Sequence, residues 1–138
     1  MPKRKYRVLL AARPNARFPF EQALGDEAEF VMAETLAEAQ QLIETDRNID
    51  LACATLYFDE SRMFDLLTWT RSHHADLPVI CARALPKDLA PFSLAAVTIA
   101  AESMGAAAFV DYPRLLSEHG AQGAAAALKA VMKAHLSP

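Results

Sequence analysis

Residues 50–71 read DLACATLYFDESRMFDLLTWTR, and they carry the clearest secondary-structure pattern of the chain. Its first part, residues 51–56, is a continuous apolar run of strand length, which is typical of a strand covered on both faces. In its second part, side chains suited to a buried stripe recur at helical spacing: Met63, Leu66, Leu67 and Thr70. A buried strand followed at once by an amphipathic helix indicates one unit of a parallel α/β sheet.

The same alternation continues on both sides of this stretch. Apolar runs predict four further strands, at residues 6–12, 29–33, 77–82 and 106–110. Helical patterns predict a helix over residues 18–24, one after the capping box Thr35–Glu38, one with its apolar face from Leu94 to Ala101, and a last one around Leu128. Residues 111–122 are interpreted as a polar connection. Five strands alternating with five helices predict an α/β fold with a doubly wound five-stranded parallel sheet.

Length and composition predict one soluble domain over residues 1–138. Hydrophobic residues make up 53% of the chain, enough to form a core. The net charge of −3 provides no general attraction for nucleic acid, and the basic cluster of Lys3, Arg4, Lys5 and Arg7 is interpreted as a solvated chain start. Nucleic acid is therefore not an expected partner.

Neither export nor membrane insertion is expected. The basic start leads into polar residues instead of a signal peptide, and the weakly polar window 92–110 is interrupted by Glu102 and Gly105. A cytoplasmic location is the prediction. The cysteines Cys53 and Cys81 both lie in apolar runs and are interpreted as buried small hydrophobic residues, without a metal or redox role.

Nearly the whole chain resembles a response-regulator receiver domain. The matching motifs are Val8-Leu9-Leu10 before a turn with Pro14, Asp50-Leu51 before Thr55, Asp65-Leu66-Leu67 with Arg71, Leu77-Pro78-Val79-Ile80, and Gly105-Ala106 before Phe109 and Pro113. The resemblance implies a flavodoxin-like, receiver-like (βα)5 fold and a role in signal transduction. It also implies that Phe109 keeps the aromatic residue that family members use as a switch.

The residues that carry receiver chemistry are changed. By the resemblance, the acidic pair that closes the first strand falls on Ala11 and Ala12, and the phosphoacceptor aspartate falls on Thr55. The hydroxyl residue after the fourth strand falls on Arg83, and the lysine after the fifth falls on Tyr112. Two alanines and a threonine offer Mg²⁺ no charged ligand, and a threonine hydroxyl needs an adjacent base to become a nucleophile. The chain is therefore predicted to be a degenerate pseudo-receiver, with no metal, no cofactor and no enzyme activity.

Arg13 and Arg83 allow two interpretations. Both lie at predicted carboxyl ends of strands, where a doubly wound sheet has its natural crevice, and together they could bind an anion. Alternatively, each arginine lies along the surface or pairs with a carboxylate such as Asp59 or Glu60.

The leading hypothesis is a phosphorylation-independent module for protein interaction or homodimerisation. The resemblance implies a contact surface made by the fourth helix, the fifth strand and the fifth helix, with Phe109, Ala95, Val97 and Ala124 as candidate interface residues. Alanine-rich stretches would let another backbone approach closely, although alanine also simply favours helices.

The alternative hypothesis is a sensor that binds a small anionic ligand near Arg13 and Arg83. Trp69 falls off the apolar stripe of its helix and is a weaker candidate for a partner contact.

Overall fold

The computed structural model describes residues 5–85 and 91–136. Lys3 and Arg4 of the basic cluster lie outside these ranges. Within them, five strands and five helices alternate along the chain. The strands are β1 Tyr6–Ala11, β2 Ala28–Ala33, β3 Leu51–Thr55, β4 Val79–Arg83 and β5 Ala108–Asp111. The helices are α1 Phe18–Leu24, α2 Leu36–Thr45, α3 Met63–His73, α4 Pro91–Ser103 and α5 Tyr112–Ala134.

All strand pairs are parallel, and their order across the sheet is β2-β1-β3-β4-β5. This is the flavodoxin-like order, so the predicted doubly wound α/β fold is confirmed. The order changes direction between β1 and β3, where such folds open a crevice at the carboxyl ends of their strands. None of the described helices has the length and apolar character needed to cross a bilayer.

The sheet separates two hydrophobic layers because successive side chains of a strand point to opposite faces. Val8 and Leu10 of β1 pack in the layer that contains α1 and α5, whereas Leu9 packs in the layer that contains α2 and α3. Cys53 and Cys81 are buried and free, in one layer each. Burial raises the pKa of both thiols, that of Cys81 to about 12, so both stay protonated and pack as small apolar groups.

The first turn of α2 follows the predicted capping pattern with one change. The Thr35 hydroxyl accepts a hydrogen bond from the amide of Glu38 at 3.1 Å. The Glu38 carboxylate accepts from the amide of Glu34 at 3.2 Å, one residue before the position that a standard capping box uses. A third acceptor, Asp59, takes the amide of Leu36 at 2.7 Å from a distant loop.

The polar connection predicted over residues 111–122 is wrong. Helix α5 begins at Tyr112, directly after β5, and is interrupted only at Gly120, where φ is 72° and ψ is 177°. Pro113 suits a first helical turn, and the buried Tyr112 ties that turn to the core. Glycine adopts positive φ without steric cost, so the helix is interrupted at this one residue and then continues.

A carboxylate bridges the region before β2 and the far end of α5. Nζ of Lys129 lies 2.6 Å from Oε2 of Glu27, and Nζ of Lys133 lies 2.7 Å from Oε1. Hydrogen bonds from the two lysines lower the pKa of Glu27 from 4.5 to about 2. The stabilisation is therefore fully present above pH 4.5 and is lost as the pH falls toward about 2.

We expect Glu27→Gln to lower the midpoint of thermal unfolding at neutral pH, and the difference from the parent chain to shrink steadily as the pH approaches 2, where Glu27 itself becomes protonated. Added salt should also reduce the difference, because the bridge is exposed. Glu21→Gln is the matched control, since it removes an exposed carboxylate for which no ion pair is seen among the described residues. Equal losses in the two variants would contradict a specific bridge.

Candidate functional site

The carboxyl ends of β1 and β3 form an apolar, nearly closed edge. Ala11 and Ala12 are fully buried, and Thr55 is 4% exposed. The Thr55 hydroxyl donates to the carbonyl oxygen of Ala11 at 3.4 Å, so it is already used inside the sheet. The positions that the resemblance assigns to a metal and a phosphoacceptor thus hold two alanines, which pack in opposite layers, and a neutral threonine. In the part of the chain that the structure describes, no three His, Cys, Asp or Glu side chains gather as metal ligands.

Arg83 pairs with Asp111 and not with Asp59 or Glu60, which corrects that part of the prediction. Nη1 of Arg83 lies 2.9 Å from Oδ1 of Asp111, and their side chains are only 15% and 13% exposed. The two residues are direct neighbours in the register of β4 and β5, whereas Asp59 lies in the loop between β3 and α3. A largely desolvated pair of this kind keeps the charge of Arg83 neutralised.

Arg13 lies at the mouth of a small cavity near Thr55. The cavity holds about 40 Å³, enough for a water molecule, and its wall includes Asn15, Tyr57 and Leu85. Arg13 is exposed there, while Arg83 is not among the described residues that line the cavity. The two arginines predicted to share an anion site are therefore not brought together in this cavity.

Tyr112, at the position that the resemblance assigns to a lysine, is 3% exposed, and its hydroxyl has no hydrogen-bond partner within residues 5–85 and 91–136. A buried hydroxyl without a partner carries a desolvation cost.

We expect Tyr112→Phe to raise the free energy of unfolding by about 1 kcal/mol, measured by urea denaturation. Tyr6→Phe, at a half-buried tyrosine, is the control and should change it by less than about 0.5 kcal/mol. A clear loss of stability in Tyr112→Phe would reveal a bound water or ligand on this hydroxyl.

A much larger concave surface lies elsewhere, between α4 and α5. An open groove of about 700 Å³ runs over β5 and has mostly apolar walls. We call it the α4–β5–α5 groove; it is lined by Leu94, Ala95, Thr98, Ile99, Phe109, Val110, Asp111, Arg114, Leu115, Glu118, Ala127 and Val131. Ile99 stands at its rim and is 66% exposed, more than the other large hydrophobic residues of the described chain.

The structure separates the four candidate interface residues. Ala95 and Phe109 line the groove, whereas Val97 is half-buried and packs against the layer of α3. Ala124 is fully buried, so its proposed place in an interface is wrong. The buried stripe of α5 runs through Ala124, Leu128 and Met132 and turns all three side chains toward the core.

Sequence reasoning missed Ile99, Leu115 and Val131 as surface residues of the groove. A usable signal was present in α4, whose residues 94–101 read LAAVTIAA and contain no charge. A helix that is apolar on all sides needs cover on all sides. In this fold the sheet covers only one side of α4, so Ile99 is left exposed.

Trp69 is half-buried and lies against two histidines. Its ring stacks on His73 with centroids 5.3 Å apart, and the ring of His74 lies 5.2 Å away. The three rings cover one another at the end of α3, which reduces the apolar surface that Trp69 offers to a partner.

Comparisons with known proteins identify the fold. No protein-family model matches the sequence, and no curated protein is significantly similar to it. Solved structures do match. The BeF3-activated N-terminal receiver domain of Klebsiella pneumoniae RstA superposes with a TM-score of 0.70 at 17% identity, over 97% of this chain and 100% of that one. The chain has the receiver-domain fold.

Two further structures agree. The phosphorylated cyanobacterial phytochrome response regulator RcpA matches with a TM-score of 0.70 at 14% identity, over 97% of this chain and 96% of that one. A signal receiver domain of a two-component histidine kinase from Clostridium thermocellum matches with a TM-score of 0.68 at 18% identity, over 99% of this chain and 100% of that one. At 14% to 18% sequence identity, these comparisons show that the fold is shared and nothing finer.

Proposed function

We propose that this chain is a phosphorylation-independent pseudo-receiver that acts in signalling by binding protein through the α4–β5–α5 groove. The observation that carries the proposal is the groove itself, which has a volume of about 700 Å³, mostly apolar walls, and Ile99 66% exposed at its rim. An exposed apolar side chain beside an apolar hollow is surface that a partner can cover. A cytoplasmic location and the absence of enzyme activity are parts of the same proposal.

The chemistry of the strand ends supports a mechanism without phosphoryl transfer. Receiver phosphorylation by the family pattern needs carboxylates for Mg²⁺ and an aspartate acceptor, and Ala11, Ala12 and Thr55 supply neither. The Thr55 hydroxyl also donates its hydrogen bond to the Ala11 carbonyl oxygen. What remains for signalling is the shape and the surface of the domain.

The rim of the groove suits association at low electrostatic cost. Its charged residues include Arg114 and Glu118, which lie 3.4 Å apart on one face of α5 and are 71% and 48% exposed. An exposed pair of this kind contributes little to the stability of the free chain. Either residue can therefore exchange its partner for an opposite charge across an interface, which favours correct alignment of the two proteins.

We propose a second copy of the chain as the partner. The same surface carries a protruding apolar side chain, Ile99, and an apolar hollow beside it, so it can be complementary to itself about a two-fold axis. In such a dimer, Arg114 of one copy and Glu118 of the other can pair reciprocally.

Sedimentation velocity over a concentration series from about 1 μM to 1 mM tests this proposal. We expect the weight-average mass to rise toward that of a dimer, with a weak dependence on salt because the buried surface is mainly apolar. Incubation with acetyl phosphate and magnesium should change neither the mass of the chain nor the association. A stable phosphoryl adduct would contradict the proposal.

The alternative function, a sensor for a small anion, rests on the exposed Arg13 at the cavity near Thr55. Arg83 is paired with Asp111, and Arg13 is the one cation among the described residues that line that cavity. A thermal-shift screen with phosphate, sulfate and nucleotides tests it, because a ligand that binds the folded state raises the unfolding midpoint. Loss of any such shift in Arg13→Gln would support this alternative.

A further inference from the structure

The loop between β3 and α3 has an unusual backbone. Asp59, Glu60 and Ser61 have φ values of 44°, 55° and 72°, and no other non-glycine residue in the described ranges has positive φ. The amide of Arg62 donates to the carbonyl oxygen of Phe58 at 2.7 Å and closes the three residues into one left-handed turn. Residues with a Cβ atom rarely adopt this conformation singly, and three in succession require that other contacts hold them there.

Two kinds of contact can hold the turn. Phe58 and Met63, the residues on either side of the loop, are fully buried and fix its ends. Asp59 is also bound from outside, because its Oδ2 accepts from the amide of Leu36 at 2.7 Å. The same oxygen lies 3.9 Å from Nε of Arg62 at the end of the turn, a longer and more exposed contact. Leu36 is the first residue of α2, so this carboxylate satisfies a backbone amide that the helix itself leaves without a partner.

We infer that Asp59 is a latch on a two-state loop. While its carboxylate is bound to the start of α2, residues 59–61 stay in the left-handed turn. When that contact is broken, the turn relaxes to ordinary negative φ values, which L-residues prefer. Leu56 and Tyr57, which precede Phe58, line the small cavity beside Thr55, so the loop lies close to that cavity. The inference concerns an edge of the sheet that the α4–β5–α5 groove does not include, and it holds whether or not the groove binds a partner.

A double-mutant cycle tests the latch. It compares the change in thermal midpoint that one glycine substitution causes with and without the Asp59 carboxylate. In the parent chain, Ser61→Gly should raise the thermal midpoint by about 3 °C, because glycine removes the steric cost of positive φ. In the Asp59→Ala background the loop has relaxed, and the same substitution should lower the midpoint by about 1 to 3 °C, because glycine now only adds freedom to the unfolded chain. Ala75→Gly, in a loop where φ is not positive, is the matched control and should lower the midpoint in both backgrounds.

The remaining outcomes overturn the inference. If Ser61→Gly raises the midpoint in both backgrounds, the buried ends of the loop hold the turn and Asp59 is no latch. If it lowers the midpoint in both, the left-handed turn is absent in solution.

A second measurement applies if Asp59→Ala folds poorly. In Asp59→Asn, which keeps the shape of the side chain and weakens the acceptor, the amide of Leu36 should exchange with solvent at least about 10-fold faster. NMR couplings that report φ should move toward negative values at Glu60 and Ser61. Unchanged couplings together with fast exchange at Leu36 would show that the contact breaks without release of the turn, which also overturns the latch.

Discussion

Thr55→Asp is expected to destabilise this chain by about 3 kcal/mol and to leave it unable to accept a phosphoryl group. Position 55 is 4% exposed and adjoins Ala11, so a carboxylate placed there loses most of its water. Arg13 lines the same cavity, but it is exposed, so solvent screens its attraction for that carboxylate. The lysine position of the receiver pattern holds Tyr112, and Arg83 is already paired with Asp111. Restoring the acceptor alone therefore introduces a buried charge that has no buried cation beside it among the described residues.

The pH dependence of this loss has a defined sign. Burial raises the pKa of the introduced carboxyl group in the folded state above its unfolded value of about 3.9. The destabilisation is therefore smallest below about pH 4, where the group is neutral in both states, and it grows as the pH rises through the folded-state pKa. Urea denaturation of the variant and the parent at several pH values measures this difference.

Thr55→Asn is the matched control for charge. It has nearly the size and shape of aspartate but stays neutral, so its effect on the free energy of unfolding should be smaller and independent of pH. Acetyl phosphate with magnesium, followed by intact-mass measurement, tests for phosphoryl transfer in both variants. A stable adduct on Thr55→Asp would show that this edge still assembles receiver chemistry, and it would contradict the pseudo-receiver proposal.

Ile99→Glu is expected to weaken self-association at least about 100-fold, which corresponds to roughly 3 kcal/mol. In a two-fold dimer the substitution places two carboxylates in apolar surface and deprives them of water. The folded monomer should be little affected, because Ile99 is 66% exposed. Sedimentation velocity measures the association, and the thermal midpoint at low concentration verifies the fold.

Leu116→Glu is the control for the choice of face. Leu116 is also an exposed apolar residue, 40% exposed on α5, and it does not line the α4–β5–α5 groove. The control should associate like the parent, whereas Ala95→Glu, inside the groove, should weaken association as Ile99→Glu does. If the chain dimerises and Ile99→Glu leaves the dimer intact, the interface lies on another face.

Much of the fold was predictable because its signals are local. The apolar face of α3 was predicted as Met63, Leu66, Leu67 and Thr70, and these are the buried residues of that helix. The start of α2 was predicted from Thr35, whose hydroxyl caps the helix. The first turns of α5 were missed because Gly120 and its polar neighbours have the composition of a loop. The burial of Tyr112, which favours a helix there, depends on contacts with residues distant in the sequence.

The candidate site was predictable only in part. The resemblance pointed to the residues at the strand ends and to the face made by α4, β5 and α5, but it could not show which alanines face outward. Ala95 lies in the groove and Ala124 lies in the core, although both come from similar alanine-rich stretches. The orientation of a helix about its axis decides between them, and that orientation depends on the whole packed layer.

The order of strands and helices, the apolar character of the sheet and the absence of carboxylates at residues 11, 12 and 55 were determined by the sequence alone, because periodicity and residue identity are properties of short segments. Three other features depend on the packed structure: the pairing of Arg83 with Asp111, the hydrogen bond from the Leu36 amide to Asp59, and the groove between α4 and α5. Each of these joins segments that are distant in the chain. Their contacts form only when the sheet has closed and the helices have packed on it, so no local pattern encodes them.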